Sequence, residues 1–180
     1  MLFSLEHNDG ERVDILFQLL DSVLEPKSCA YVAGPLDSGK EYYERLAAGE
    51  ELLPMRKENE ERLREFVRSL RKRLAYPVID PGRLRISAWA GPDYGVFFLD
   101  VVQRYARECW FLNGWEYSTG ATKEFVFCCA TQTPCLSEFG ERLTVPEGLR
   151  LINGAADLVR RLGMDDAKLR SRADSLGSLS

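Results

Sequence analysis

Residues 114–125, GWEYSTGATKEF, set a carboxylate, Glu124, in the opening turns of a helix that Ser118 or Thr119 can cap and Gly120 can relax. The amides at positions 118–121, at the positive end of a helix dipole, suit a phosphate, and Gly120 lets a ligand approach the backbone. His7 is the sole histidine, which disfavours Ser-His-Asp and Cys-His catalysis and any multi-histidine metal site. Acid–base chemistry therefore falls to carboxylates, Tyr or Lys. A carboxylate beside a sugar can stabilise or capture the oxocarbenium-like transition state of glycosidic cleavage, and retaining glycosidases place a second carboxyl about 5–5.5 Å away. The plainer reading makes Glu124 a solvated charge that favours the helix dipole.

A second stretch, GPLDSGKE (34–41), has the spacing of a phosphate loop, and VFFLD (96–100) looks like the acidic strand that accompanies one. Three details count against a P-loop phosphotransferase. Glu41 occupies the position that needs a hydroxyl for magnesium, and Pro35 removes an amide from the cradle. Phe98, Val102 and Tyr105 form a helical stripe, so 96–100 reads as helix. A Gly-rich loop there can still bind one phosphate through its amides.

The elements around these residues alternate. Helices are predicted over 10–24, over 58–74, from 92 or 93 to about 108, over the stretch ending near 130, and over 147–162. The second is the firmest, with Leu63, Phe66, Val67, Leu70 and Leu74 on one face and a solvated charged face opposite. Strands are predicted at SCAYVAG, AYPVIDP, CWFLNG and near PCLSEF, with a short fifth at RLTV; residues 41–56 read as a loop with a short helix. The expected fold is a doubly wound, flavodoxin- or Rossmann-like α/β domain with a mostly parallel sheet of about five strands. Its core spans 28–163, with an added N-terminal helix and a flexible tail over 164–180. Ligands bind beyond the carboxyl ends of strands in such sheets, so the loops at 34–40, 81–91 and 113–120 should share one edge.

The chain has 180 residues, 45% hydrophobic and 29% charged, with a formal charge of -4 and a pI near 5.2. Polymeric nucleic acid is not an expected partner. No apolar stretch approaches the roughly 20 residues of a membrane helix, and MLFSLEHNDGER does not read as a signal peptide. A cytoplasmic location and reduced thiols for Cys29, Cys109, Cys128, Cys129 and Cys135 are expected.

Three segments in order, AYVAGP, PVIDP and CWFLNGWEYSTGATKE, resemble the nucleoside 2-deoxyribosyltransferase superfamily, which includes the 2'-deoxynucleoside 5'-phosphate N-hydrolases. The resemblance covers most of residues 29–130. It implies that Glu124 is the nucleophile, that Asp100 on the preceding helix assists, and that Tyr31 on the first strand belongs to the same site. It also implies that Ser118 belongs to a 5'-phosphate site. Gly34, Pro35 and Gly39 of the first loop and Asn113, Trp115 and Gly120 of the third are the further expected substrate-binding residues. Trp115 and Trp89 either stack on a base or pack. No cofactor or metal follows from this chemistry. The family's transferases finish their site with an Asn near the chain end, and this tail shows no convincing counterpart.

The resemblance thus implies an N-glycosidase or N-deoxyribosyltransferase acting on a small nucleotide or nucleoside. The competing reading is a nucleotide sensor of the same fold without turnover. The family works as dimers or larger oligomers. Here adjacent Phe97 and Phe98 point about 100° apart on their helix, so one should face a second layer beside Val101 and Tyr105 and mark a dimer interface.

Overall fold

The computed structural model describes residues 7–179 apart from 85, 87, 88 and 90, and gives backbone alone for 7–12 and 91–92. The stretch read against a leader lies partly outside them. In chain order the elements are α1 (His7–Val23), β1 (Cys29–Ala33), α2 (Lys40–Ala48), α3 (Leu53–Arg73), β2 (Val78–Ile79), α4 (Gly91–Tyr105), β3 (Ala106–Phe111), α5 (Thr119–Ala130), β4 (Cys135–Ser137), α6 (Val145–Arg161) and α7 (Ala167–Gly177). Single 3-10 turns stand at Pro81–Arg83 and Trp115–Tyr117.

The four strands pair in parallel in the order β2-β1-β3-β4. Alternation along β1 divides the interior into two layers. Cys29, Tyr31 and Ala33 enter a large core shared with Phe17 of α1, α4, α5, α6 and Leu176 of α7. Ala30 and Val32 face a smaller core with Leu63, Val67 and Leu70 of α3. Helices on both faces of a parallel sheet make a doubly wound, Rossmann-like α/β fold. The connections leave β1 on one side and β3 on the other, so a crevice opens above the carboxyl ends of these two neighbours.

Five expectations need correction. A fifth strand at 142–145 does not form among the described residues: Arg142 makes one antiparallel bridge to Leu136. Helix-start chemistry overrides strand propensity there, because Thr144 and Glu147 form a capping box with Pro146 in the first turn of α6. Similarly, α4 ends at Tyr105 and β3 begins at Ala106, since a strand flanked by partners on both sides needs length. Helix α3 begins at Leu53, five residues early, with Pro54 at its start.

The tail is the fourth correction. Leu169, Ala173 and Leu176 recur at helical spacing on α7 and are buried against the main core. Arg170 joins α7 to α6 through Asp157 and Asn153 and also pairs with Asp166 at the start of α7. Leu176→Ala should cost about 2–5 kcal/mol, read as a lower urea midpoint. A midpoint unchanged from the parent would mean that α7 adds nothing to the core.

The fifth concerns the apolar face of α4. Phe97 and Phe98 are both buried, as are Val101 and Tyr105. Helix α1 supplies the second layer: Phe17 packs on Phe97 and Tyr105 at 5.1 and 6.5 Å between ring centroids, and Tyr105 Oη donates to Asp21 at 2.5 Å. The exposed apolar row is on α1 instead, at Ile15, Leu19 and Val23. Among the described residues no helix is long and apolar enough to cross a membrane.

Candidate active site

A cavity of about 460 Å³ opens at the β1–β3 crevice. Gly34 follows β1 on one wall, Tyr94, Gly95 and Phe98 come from α4, and Arg56 and Leu63 come from α3. Ser118, Thr119, Gly120, Ala121 and Glu124 enter from the start of α5.

Local chemistry sets each wall. Ser118 is buried and has extended backbone; its Oγ accepts from the Ala121 amide at 3.3 Å, and its carbonyl accepts from Thr122 Oγ1 at 2.8 Å. This cap starts α5 at Thr119, and Thr119 and Gly120, whose first-turn amides have no partner within a helix, line the cavity. Buried Asn59 of α3 anchors the first loop by donating to the carbonyls of Leu36 and Ser38 at 3.2 and 3.0 Å. Gly34 lies against Leu112: a Cβ there would meet the Leu112 side chain at 3.1 Å.

At the floor, Tyr31 Oη donates to Glu124 Oε1 at 2.6 Å. Burial pushes the Glu124 carboxyl up from 4.5 to about 8, against the opposing pull of the Tyr31 bond and of Lys123. Burial, and then the Glu124 charge, hold the Tyr31 phenol well above its usual range. Desolvation thus favours the protonated form of both groups. Glu124 as a whole is half-buried, because one side of it faces the cavity while its carboxyl meets Tyr31.

Asp100, the expected second carboxylate, stands on α4. It does not line the cavity, since two residues of helix turn it about 200° from Phe98, onto the side of exposed Val96. The second carboxylate on the lining is Asp37, ion-paired with Arg56 at 2.9 Å on the outer wall. Sequence reasoning missed both. Arg56 falls in the 41–56 stretch read as a loop with a short helix, which α3 overruns from Leu53, and Asp37 sits within the decoy phosphate loop.

The expected binding residues divide. Gly34, Ser118 and Gly120 line the Glu124 cavity. Pro35, Gly39 and Asn113 line a second cavity of about 460 Å³ across the loop, with Lys40, Arg62 and Glu116; burial raises the Glu116 carboxyl. Trp115 lines neither cavity and packs on Phe111 and Phe125 at 5.1 and 4.5 Å. Trp89 packs edge-on to Tyr94 and Phe97. Residues 96–100 lie within α4, so no acidic strand accompanies the Gly34–Glu41 loop. Lys40 pairs with Glu44 at the surface.

In three comparisons with known proteins, no family model, no curated protein and no solved structure matches this chain. The site's geometry therefore has to carry the functional reading by itself. Among the described residues no group of three or more His, Cys, Asp or Glu is arranged to hold a metal ion.

Proposed function

We propose that this protein cleaves the N-glycosidic bond of a nucleotide or nucleoside, as a hydrolase or a base-exchanging transferase, with Glu124 attacking C1' of the sugar. The observation that carries the reading is the 2.6 Å Tyr31–Glu124 bond at the floor of a cavity in the crevice above β1 and β3. A phenol donating to one carboxylate oxygen fixes the rotamer and leaves the other oxygen for the sugar. Ser118, the first-turn amides of α5 and Arg56 surround the place for a 5'-phosphate, which would take Arg56 from Asp37. Asp100 lies off the cavity and Asp37 is engaged, so the departing base takes its proton from solvent at the open mouth.

The test is incubation with a panel of deoxynucleoside monophosphates and chromatography for free base. Release from at least one is the expected result. A nucleotide sensor remains the second reading, favoured by the single carboxyl that meets the cavity floor; binding without base release would establish it. Tyr31→Phe should keep the fold and lower kcat about 100-fold, because Glu124 loses its orienting donor. Full activity in that variant would reduce the bond to packing.

Assembly as a homodimer or larger homo-oligomer belongs to the same proposal. Its support is now the Ile15, Leu19 and Val23 row on α1 rather than α4. Sedimentation at micromolar concentration should show a particle larger than 20.5 kDa, and a monomer with full activity would exclude a catalytic role for assembly.

A further inference from the structure

The Gly-rich loop after β1 has two sides, and the Glu124 cavity uses only one of them. Its other side walls the second cavity of about 460 Å³, together with the start of α2, residues of α3 and the loop after β3. Gly39 takes φ 131° and ψ 170°, a backbone region essentially reserved for glycine. The position before α2 therefore goes to a residue with no side chain to offer, and no side chain caps the helix. First-turn amides have no partner within a helix, and Lys40, Glu41 and Tyr42 all line this cavity.

Side chains on the same lining are left without partners. Asn59 is only 7% exposed, and its Nδ2 is committed to the carbonyls of Leu36 and Ser38. Two carbonyl acceptors fix which way that amide points. Its Oδ1 accepts from no described donor, on a residue that lines the cavity. Arg62 pairs with no carboxylate among the described residues and donates to the Asn113 carbonyl at 3.5 Å. Glu116 has no cation partner among them either, and burial raises its carboxyl, which favours the protonated form that can donate to an anion. The other two carboxylates of the lining are engaged, Glu41 by Arg45 at 2.8 Å and Glu44 by Lys40 at 3.5 Å.

We propose that this cavity is a second ligand site, for a phosphate monoester that carries hydroxyl groups, either a pentose phosphate or a nucleoside monophosphate. The phosphate meets the uncapped amides of α2 and the Arg62 guanidinium, where the helix dipole and a charge-assisted fork both favour an anion. A buried acceptor such as Asn59 Oδ1 is satisfied by a hydroxyl, which bare phosphate dianion does not supply. Tyr42 and Tyr117 line the same cavity, and such rings can stack on a base. The site does not rest on the reading of Glu124, although Ser38 lines both cavities.

The test follows the backbone amide resonances of the isotope-labelled full chain during titration with orthophosphate, ribose 5-phosphate and adenosine 5'-monophosphate. Either ester at millimolar concentration should shift Gly39, Lys40 and Glu41. Arg62 is exposed on a helix, so Arg62→Met should fold normally and weaken that binding about tenfold. Shifts at Gly120 and Ala121 report the Glu124 cavity instead, which keeps failure at one site distinct from failure at the other. Tighter binding of adenosine 5'-monophosphate would identify a nucleotide as the occupant, and binding no tighter than ribose 5-phosphate would identify the pentose phosphate. No shift at residues 39–41 with either ester, or shifts that keep full affinity in Arg62→Met, would overturn the proposal. Orthophosphate that binds as tightly as both esters would overturn it too, because the Asn59 acceptor would then have no role.

Discussion

Glu124→Gln is expected to lower base release by on the order of 10⁴-fold while the protein remains folded and still binds its nucleotide. Removal of a covalent nucleophile costs that much or more in enzymes whose remaining binding apparatus is intact. Glutamine keeps the shape of the side chain and can still accept the Tyr31 hydrogen bond, so loss of activity would report chemistry rather than collapse. The substitution also removes an acid that burial disfavours in its charged form. A single-turnover assay with excess protein, together with binding measured by calorimetry, separates the two contributions. A variant within tenfold of the parent in turnover would return Glu124 to the role of a helix-end charge.

The pH dependence should be equally large and has two faces. The nucleophile must be ionised, and its carboxyl is raised to about 8. The rate constant kcat/KM should therefore climb with pH, about tenfold per unit below that value, and level off above it. Folding stability should move the opposite way. The native carboxyl binds its proton more tightly than the unfolded one, whose value is 4.5. The native state thus holds more protons between these values, so the contribution is complete below about 4.5 and is lost as pH rises to about 8. Glu124→Gln should flatten that part of the stability curve. A parent protein whose urea midpoint is constant across the window would show that Glu124 is ionised at no cost. The reading of a raised carboxyl would then fail.

Much of the architecture was legible because its signals are local. The Leu63, Val67 and Leu70 stripe on α3 needed only helical periodicity, and the Ser118 cap of α5 needed only one side chain and one amide three residues on. Alternating apolar runs and amphipathic helices were enough to call for a parallel sheet with helices on both faces. The loops after β1 and β3 then had to meet at one edge, whereas a shared site for Tyr31 and Glu124 was implied by the family resemblance alone. The same local signals also misled. The tail over 164–180 was read from its polar composition, although Leu169, Ala173 and Leu176 already had a helical spacing.

The sequence by itself determined which acid–base chemistry was open to this protein: with a single histidine, the work falls to carboxylates, Tyr or Lys. It also determined the order of strands and helices, through caps and periodicities that act over a few residues. Tertiary structure decided which of those groups meet. The phase of α4 depends on packing Phe97 and Phe98 inward under α1, and this turns Asp100 away from the cavity. The register of β1 against β3 puts Tyr31 beside Cys109, and the seating of α5 carries Glu124 to the phenol and Cys128 to the thiol. Burial at that junction raises the Glu124 carboxyl. Desolvation depends on everything packed around a group, including residues far away in the chain, and spacing along one strand of sequence carries no measure of it.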